Sequence, residues 1–261
     1  MNKTRAGIQS VEVGFALLGV LSRATHALML RDLAGAAGMS AAKAHRYLVS
    51  FQRLGLVLQD PATTRYDLGP AALKLGLASL SRLDAVKLAR ERMAALVLDI
   101  GHTLALAVWG NHGPTIVHWE ESPQAVNVNL RLGDVMPLLS SATGRCFSAH
   151  MSGEAMAPLL QEEFALARKL QRTDIPRNAT ELELVQAEVR KHGLGRVVNT
   201  LLPGVAGFCA PVFDCDGHIV LGIVALGSVA TFDSTWDGTV AVALRAAARQ
   251  LSRDLGHPET V

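Results

Sequence analysis

Residues 30–54, LRDLAGAAGMSAAKAHRYLVSFQRL, constrain the fold more than any other stretch of this chain. Two helix-periodic runs are separated by only Gly38-Met39-Ser40. The first places Leu30, Leu33, Ala34 and Ala37 on one face and ends on Gly38, which closes a helix by taking the left-handed conformation without steric cost. Ser40 opens the next, its hydroxyl placed to accept from N–H groups of the first turn. So short a connection makes the two helices cross steeply, the helix-turn-helix arrangement. On the second helix Ala44, Leu48 and Phe51 share one side. Ala42, His45, Arg46 and Val49 share the other, at i, i+3, i+4 and i+7, beside Lys43.

The flanks extend this motif. Residues 8–22 carry Val11, Phe15, Leu18 and Leu21 near helical spacing, which predicts a preceding helix. LVLQDPATTRYDLG, after Gly55, alternates apolar and polar residues around a Pro-Ala-Thr-Thr tip and predicts a two-stranded hairpin. Three helices and a hairpin make a winged helix-turn-helix. In that fold the exposed stripe enters the major groove: Ser40, Ala41 and Ala42 permit close approach, Arg46 suits a guanine edge, and His45 or Lys43 reaches a base or phosphate. Thr63, Thr64 and Arg65 on the wing meet phosphates or the minor groove. A solvated face of a small helical bundle would show the same stripe. Charge supports the first reading. Residues 1–80 hold nine Lys/Arg against four Asp/Glu, a net +5, whereas the rest of the chain is net −3. That suits a polyanion partner for the N-terminal part alone.

The 261 residues, 49% hydrophobic, suffice for two domains. From Pro70 to about Met93 a Leu73, Leu77, Leu80, Leu83 stripe predicts one linking helix. Beyond it, strands are expected at 103–109, 114–119, 125–130, 208–213 and 219–226, the last two joined by a hairpin at Cys215-Asp216-Gly217. Helices are expected at 88–100, 143–151, 154–161, 179–192 and 238–254. This is an α/β domain with a mostly antiparallel sheet covered by helices. Three cysteines with no C-x-x-C pair favour a reducing cytoplasm over a disulfide framework. Gln9, Ser10 and Glu12 interrupt what would be the apolar core of a signal peptide. The longest apolar run, 219–230, is too short to span a bilayer.

Enzyme signatures are missing: there is no G-x-S-x-G elbow, no H-E-x-x-H and no phosphate-binding glycine loop. Cys146, Cys209 and Cys215 read as small hydrophobes before nucleophiles. His102, His112 and His118 match no standard zinc spacing, so no metal is expected. A ligand sensor with an N-terminal bundle that binds no DNA is a third reading. Trp109 ends a strand, as core filling or as a pocket wall. Asn127 and Asn129 share one sheet face, turned to a ligand or to solvent.

The segments IQSVEVGFALLGVL, LRDLAGAAGMSAAKAHRYLVSFQRLGLVLQD, RYDLG, ARERMAALVLDIGHTLALAVW, VHWEESP, RLGDVMPLLSSATGR and GLGRVVNTLLPGVAGFCAPVFD resemble, in order, the IclR family of bacterial transcriptional regulators. The resemblance spans nearly the whole chain. It implies an α+β architecture: a winged helix-turn-helix over residues 1–70, a linker helix over 71–92 and a GAF-like effector-binding domain over 93–261. It also implies a homodimer or homotetramer on partly palindromic double-stranded operator DNA, a small-molecule effector as the only ligand, and no membrane. The chain departs from the family where Ala41-Ala42-Lys43 replaces a Lys-Ser-Thr-like triplet, while His45-Arg46 is kept.

The resemblance places the effector near the turn Ala142-Thr143-Gly144-Arg145, where the N–H groups of Thr143 and Gly144, with Ser140 or Ser141, could hold a carboxylate at a helix start; an ordinary capped turn looks the same. Later strands add Val198, Leu201, Cys209, Val224 and Leu226, and Trp109 and Asn129 complete the expected lining. Val197-Val198-Asn199-Thr200 stands where relatives are often acidic, Gly207 where a Cys is common, and Val224 and Leu226 where hydroxyls are common. This less polar wall favours an aromatic or otherwise hydrophobic acid, since buried apolar area contributes roughly 25 cal/mol per Å².

Overall fold

The structure, a computed structural model, describes residues 7–80, 84–122, 128 and 130–258. The chain divides into two compact units, Met1–Leu83 and Asp84–Val261.

In the first unit, α1 (Gln9–Arg23), α2 (Leu30–Ala36) and α3 (Ala41–Arg53) precede a hairpin of β1 (Val57–Gln59) and β2 (Tyr66–Leu68), and α4 (Pro70–Leu80) follows. Gly38 takes φ +65° and Ser40 caps α3 by accepting from the Lys43 amide, so both predicted turn devices operate. Leu17, Leu21, Leu33, Ala44, Leu48 and Tyr66 form the core. On α1 the buried stripe is Gly14, Leu17 and Leu21, whereas Val11 and Phe15 are exposed. The expected face is therefore turned. Gly14 explains it: a Cβ there would come within 3.0 Å of both Phe51 and Tyr47, so the helices meet at a residue without a side chain.

The single helix expected over 70–93 is divided. Asp84 is extended and caps a new helix, α5 (Ala85–Ile100), by accepting from the Lys87 amide. An Asp whose side chain captures a first-turn N–H starts a helix rather than continuing one. Of the leucine stripe, Leu73 is exposed, and Leu83 and the side chains of Leu77 and Leu80 lie outside the described residues.

The second unit adds β3 (Thr103–Gly110), β4 (Gly113–Glu120), α6 (Ala142–His150), α7 (Gly153–Lys169), α8 (Ala179–His192), β5 (Gly195–Val198), β6 (Val205–Phe213), β7 (Ile219–Ser228) and α9 (Thr239–Asp254). The sheet runs β4-β3-β7-β6-β5 with every neighbouring pair antiparallel. The strand expected at 125–130 falls largely outside the described residues; Val128 and Leu130 are in no strand. The edge strand β5 was not anticipated, and α7 runs eight residues past the expected end at 161.

Period-two alternation sorts the sheet into two faces. Leu104, Leu106, Phe208, Ala210, Ile223 and Ala225 pack on α5 and α9. Ala105, Ala107, Val197, Cys209, Val224 and Leu226 face α6, with Met136 among them. Helices on both faces are why the strands read as nearly continuous apolar runs.

Candidate nucleic-acid interface and ligand cavity

The polar stripe of α3 is exposed, as its spacing predicts. Ser40, Ala41, Ala42, Lys43, His45 and Arg46 are all exposed on α3, while Ala44 and Leu48 are fully buried behind them. Two methyl groups open the helix and two cationic side chains follow. No ion-pair partner holds Lys43 or Arg46 among the described residues, so both charges are available.

The wing is preorganised. Asp60 Oδ1 accepts from the amides of Ala62 and Thr63 at the tip, which holds its carboxyl below the usual range, and Thr64 takes φ +58°. Thr63, Thr64 and Arg65 are exposed. Arg65 is not a free arm: its guanidinium donates to Ala27 O at 3.0 Å, beside the bridge that pairs Leu28 with Tyr66. Its expected role at phosphate is therefore shared with fastening the wing to the α1–α2 connection.

In the second unit, α6 approaches the chain very closely. A Cβ on Gly144 would lie 2.1 Å from Pro137 O, and one on Gly195 would lie 2.2 Å from Ala142 O. Ser141 caps the helix by accepting from the Gly144 amide at 2.8 Å, and donates its own hydroxyl to Pro137 O at 2.6 Å. The loop before it is pinned twice more. Glu163 accepts from the amides of Leu138 and Leu139, its carboxyl pushed up by burial, and Arg145 donates to Leu139 O and to Arg196 O of β5.

This packing leaves a cavity of about 40 Å³ between the start of α6, the 199–204 loop and the adjoining strands. Of the expected residues it brings together Ser141, Ala142, Thr143, Leu201, Val224 and Leu226. Gly144 is excluded because its amide is taken by Ser141 and its Cα is pressed on Pro137. Val198 is excluded by strand alternation: it packs on the α5–α9 side, and Val197 lines the cavity instead. Cys209 lies deeper on the same face, buried among Cys146 and Phe147, with burial pushing its thiol up. Trp109, also on that face, stands past Ala107 at the far end of β3 and meets Phe147 at 6.1 Å. Asn129 lies outside the described residues. Leu130, Met136, Leu202, Val205, Ala206 and Gly207 were missed; alternation from Val224 through its partner Cys209 to Gly207 could have found the last.

The wall is apolar apart from Ser141, whose hydroxyl is already engaged, and one further residue. Thr143 is 1% exposed, lines the cavity, and its Oγ1 has no hydrogen-bond partner.

Among the described residues, the one His/Cys/Asp/Glu group within common ligating reach is Asp214, Asp216 and His218 on the β6–β7 turn, and His102, His112 and His118 are not part of it. No helix of the described chain is long and apolar enough to cross a membrane.

A winged helix with an exposed cationic stripe, joined to an antiparallel α/β unit, defines a DNA-binding transcriptional regulator, and comparison with known proteins agrees. Residues 10–61 match the IclR helix-turn-helix domain and residues 77–253 the bacterial transcriptional regulator IclR C-terminal domain, so the chain belongs to the IclR family. It is 32% identical over 255 residues to the glycerol operon regulatory protein of Streptomyces griseus, covering 95% of this chain and 97% of that one. It is 26% identical to the DNA-binding transcriptional repressor YiaJ of Escherichia coli, covering 96% and 89%. The crystal structure of Pseudomonas aeruginosa HmgR superposes with TM-score 0.87 at 35% identity, covering 97% of this chain and all of that one. The Streptomyces griseus and Escherichia coli relatives are regulators by name, and this chain, a member of the same family, is a regulator rather than an enzyme.

Proposed function

We propose that this regulator binds a small hydrophobic organic acid in the cavity at the start of α6, and that the acid shifts its hold on operator DNA. The observation that carries the reading is Thr143. A buried hydroxyl without a partner costs about 1–3 kcal/mol, and this one belongs to a residue that lines a cavity at a helix N-terminus, where backbone N–H groups and the helix dipole favour an anion. Ser141 has taken the Gly144 amide, which leaves the first-turn amides of Ala142 and Thr143 as the donors of that helix end. Apart from Ser141, the rest of the lining is apolar, which suits an apolar body. Family membership supports the same reading, and a differential affinity giving about 1–3 kcal/mol of coupling is enough to regulate.

In this reading α3 enters the major groove of double-stranded operator DNA, with Arg46 and His45 at base edges and Lys43, Thr63 and Thr64 at phosphates. The protein works in the cytoplasm as a homodimer or homotetramer and needs no metal or further cofactor. The test is binding to DNA from upstream of its own gene, against a shuffled fragment of equal composition, over a salt series and with aromatic and aliphatic acids added. Preference for the native fragment, steep salt dependence and a shift by one acid class support the reading. Equal binding to both fragments with no acid response refutes it.

A further inference from the structure

The cavity is too small as it stands for the acid it is proposed to take. Its volume of about 40 Å³ is close to the roughly 30 Å³ that one water occupies. Beside it lies a second hollow of about 320 Å³, lined by Pro114, Val135, Leu159, Leu166, Leu170 and Ile175. One residue, Met136, lines both. Its backbone is fastened: the Met136 amide donates to Pro114 O at 2.7 Å, Gly133 N–H donates to Ile116 O, and Val135 bridges Thr115. Where the two hollows share a residue, the backbone is therefore fixed, and its buried side chain is an unbranched thioether, the most adaptable apolar group available.

We infer that Met136 is a gate between two chambers of one effector site, and that the effector is an apolar carboxylic acid long enough to reach from one into the other. This rests on the reading of the inner cavity as the effector site. The acid's carboxylate meets Thr143 and the start of α6. Its apolar body displaces the Met136 thioether and extends into the outer hollow. Joined, the two volumes fall within the roughly 300–1,000 Å³ of small-molecule sites.

The charges set this direction. The outer hollow contains the Glu163 carboxyl, which repels an acid head, and its Arg172 is already bound to Asp174 and to Thr200 O. The inner end carries no carboxylate and has the unpartnered hydroxyl.

The experiment titrates the full chain by calorimetry with benzoate, 3-phenylpropionate and 5-phenylpentanoate, acids of one head group and increasing length. Wild type is compared with Met136→Ala, Met136→Leu, Met136→Trp and Thr143→Val, each checked for folding by denaturation. Met136→Ala is expected to favour the longest acid over benzoate by a further factor on the order of ten, and Met136→Trp, which fills the opening, to weaken all three acids. Met136→Leu, with one rotatable bond fewer, keeps the ranking but slows association of the long acids. Thr143→Val weakens all three. If the acids bind and depend on Thr143, yet no Met136 variant changes the length ranking or association, the gate is wrong and the inner site stands. If no acid binds, or Thr143→Val is without effect, the inner site fails and the gate with it.

Discussion

At Thr143 a stability cost and the proposed contact with the acid meet in one residue. Replacing it with Val keeps the shape and removes the unpartnered hydroxyl, so the ligand-free protein should be unchanged or more stable by up to about 1–2 kcal/mol. Acid affinity should fall in the same variant, and a denaturation curve beside a titration separates the two. His150 poses a different residue-scale question. Burial, aided by Arg190, lowers its pKa to about 4, and its Nε2 has no partner. The unfolded chain therefore takes up a proton near pH 6.5, before the folded chain does. Stability is full above pH 6.5 and is lost as pH falls from there toward 4. His150→Phe, which keeps an aromatic edge on Phe213, should lose less between pH 7 and pH 5 by on the order of 1–2 kcal/mol, read from urea midpoints at the two values. Legibility at this scale followed from how local the signal was. The α3 stripe was readable because helical spacing assigns a face by itself. Val197 was passed over for Val198 because a one-residue shift on a strand reverses the face, and four residues of β5 offer too little alternation to decide it.

Among the elements, α3 and α6 carry function in opposite ways. The outward face of α3 is free, so Arg46→Ala should leave folding intact and weaken operator binding by about 1–3 kcal/mol while relaxing base preference at one position. Fluorescence anisotropy with native and substituted operators reads both. The start of α6 is enclosed instead, and Gly195 is the tightest test of it. A methyl there would strike Ala142 O, a backbone atom that cannot step aside. Gly195→Ala should cost about 1–3 kcal/mol or more and abolish acid binding with it, in contrast to Thr143→Val. The helices and central strands were legible because their periodicity runs for two turns or for six residues. The break at Asp84 was not, because an Asp inside a leucine-periodic stretch looks like a solvated position until its side chain is seen on the Lys87 amide. The cavity was legible as a region and not as a lining: the apolar wall at Val224 and Leu226 was read, whereas Met136 and Leu130 lie in a segment with no period to follow.

For the whole molecule, the uneven charge between the N-terminal and later residues is the property that no single site explains. Operator affinity should fall linearly with salt on logarithmic axes, with a slope of about −0.9 per phosphate contact, and Lys43→Ala should flatten it by about one such step without changing base preference. Binding titrations at several salt concentrations give both slopes. The same imbalance acts before any contact forms. A duplex draws the basic end of the chain inward and pushes the mildly acidic remainder away, so collisions arrive already turned the right way round. The net negative charge of the later residues thereby serves as a rudder during the search for an operator, and wrongly oriented encounters are disfavoured.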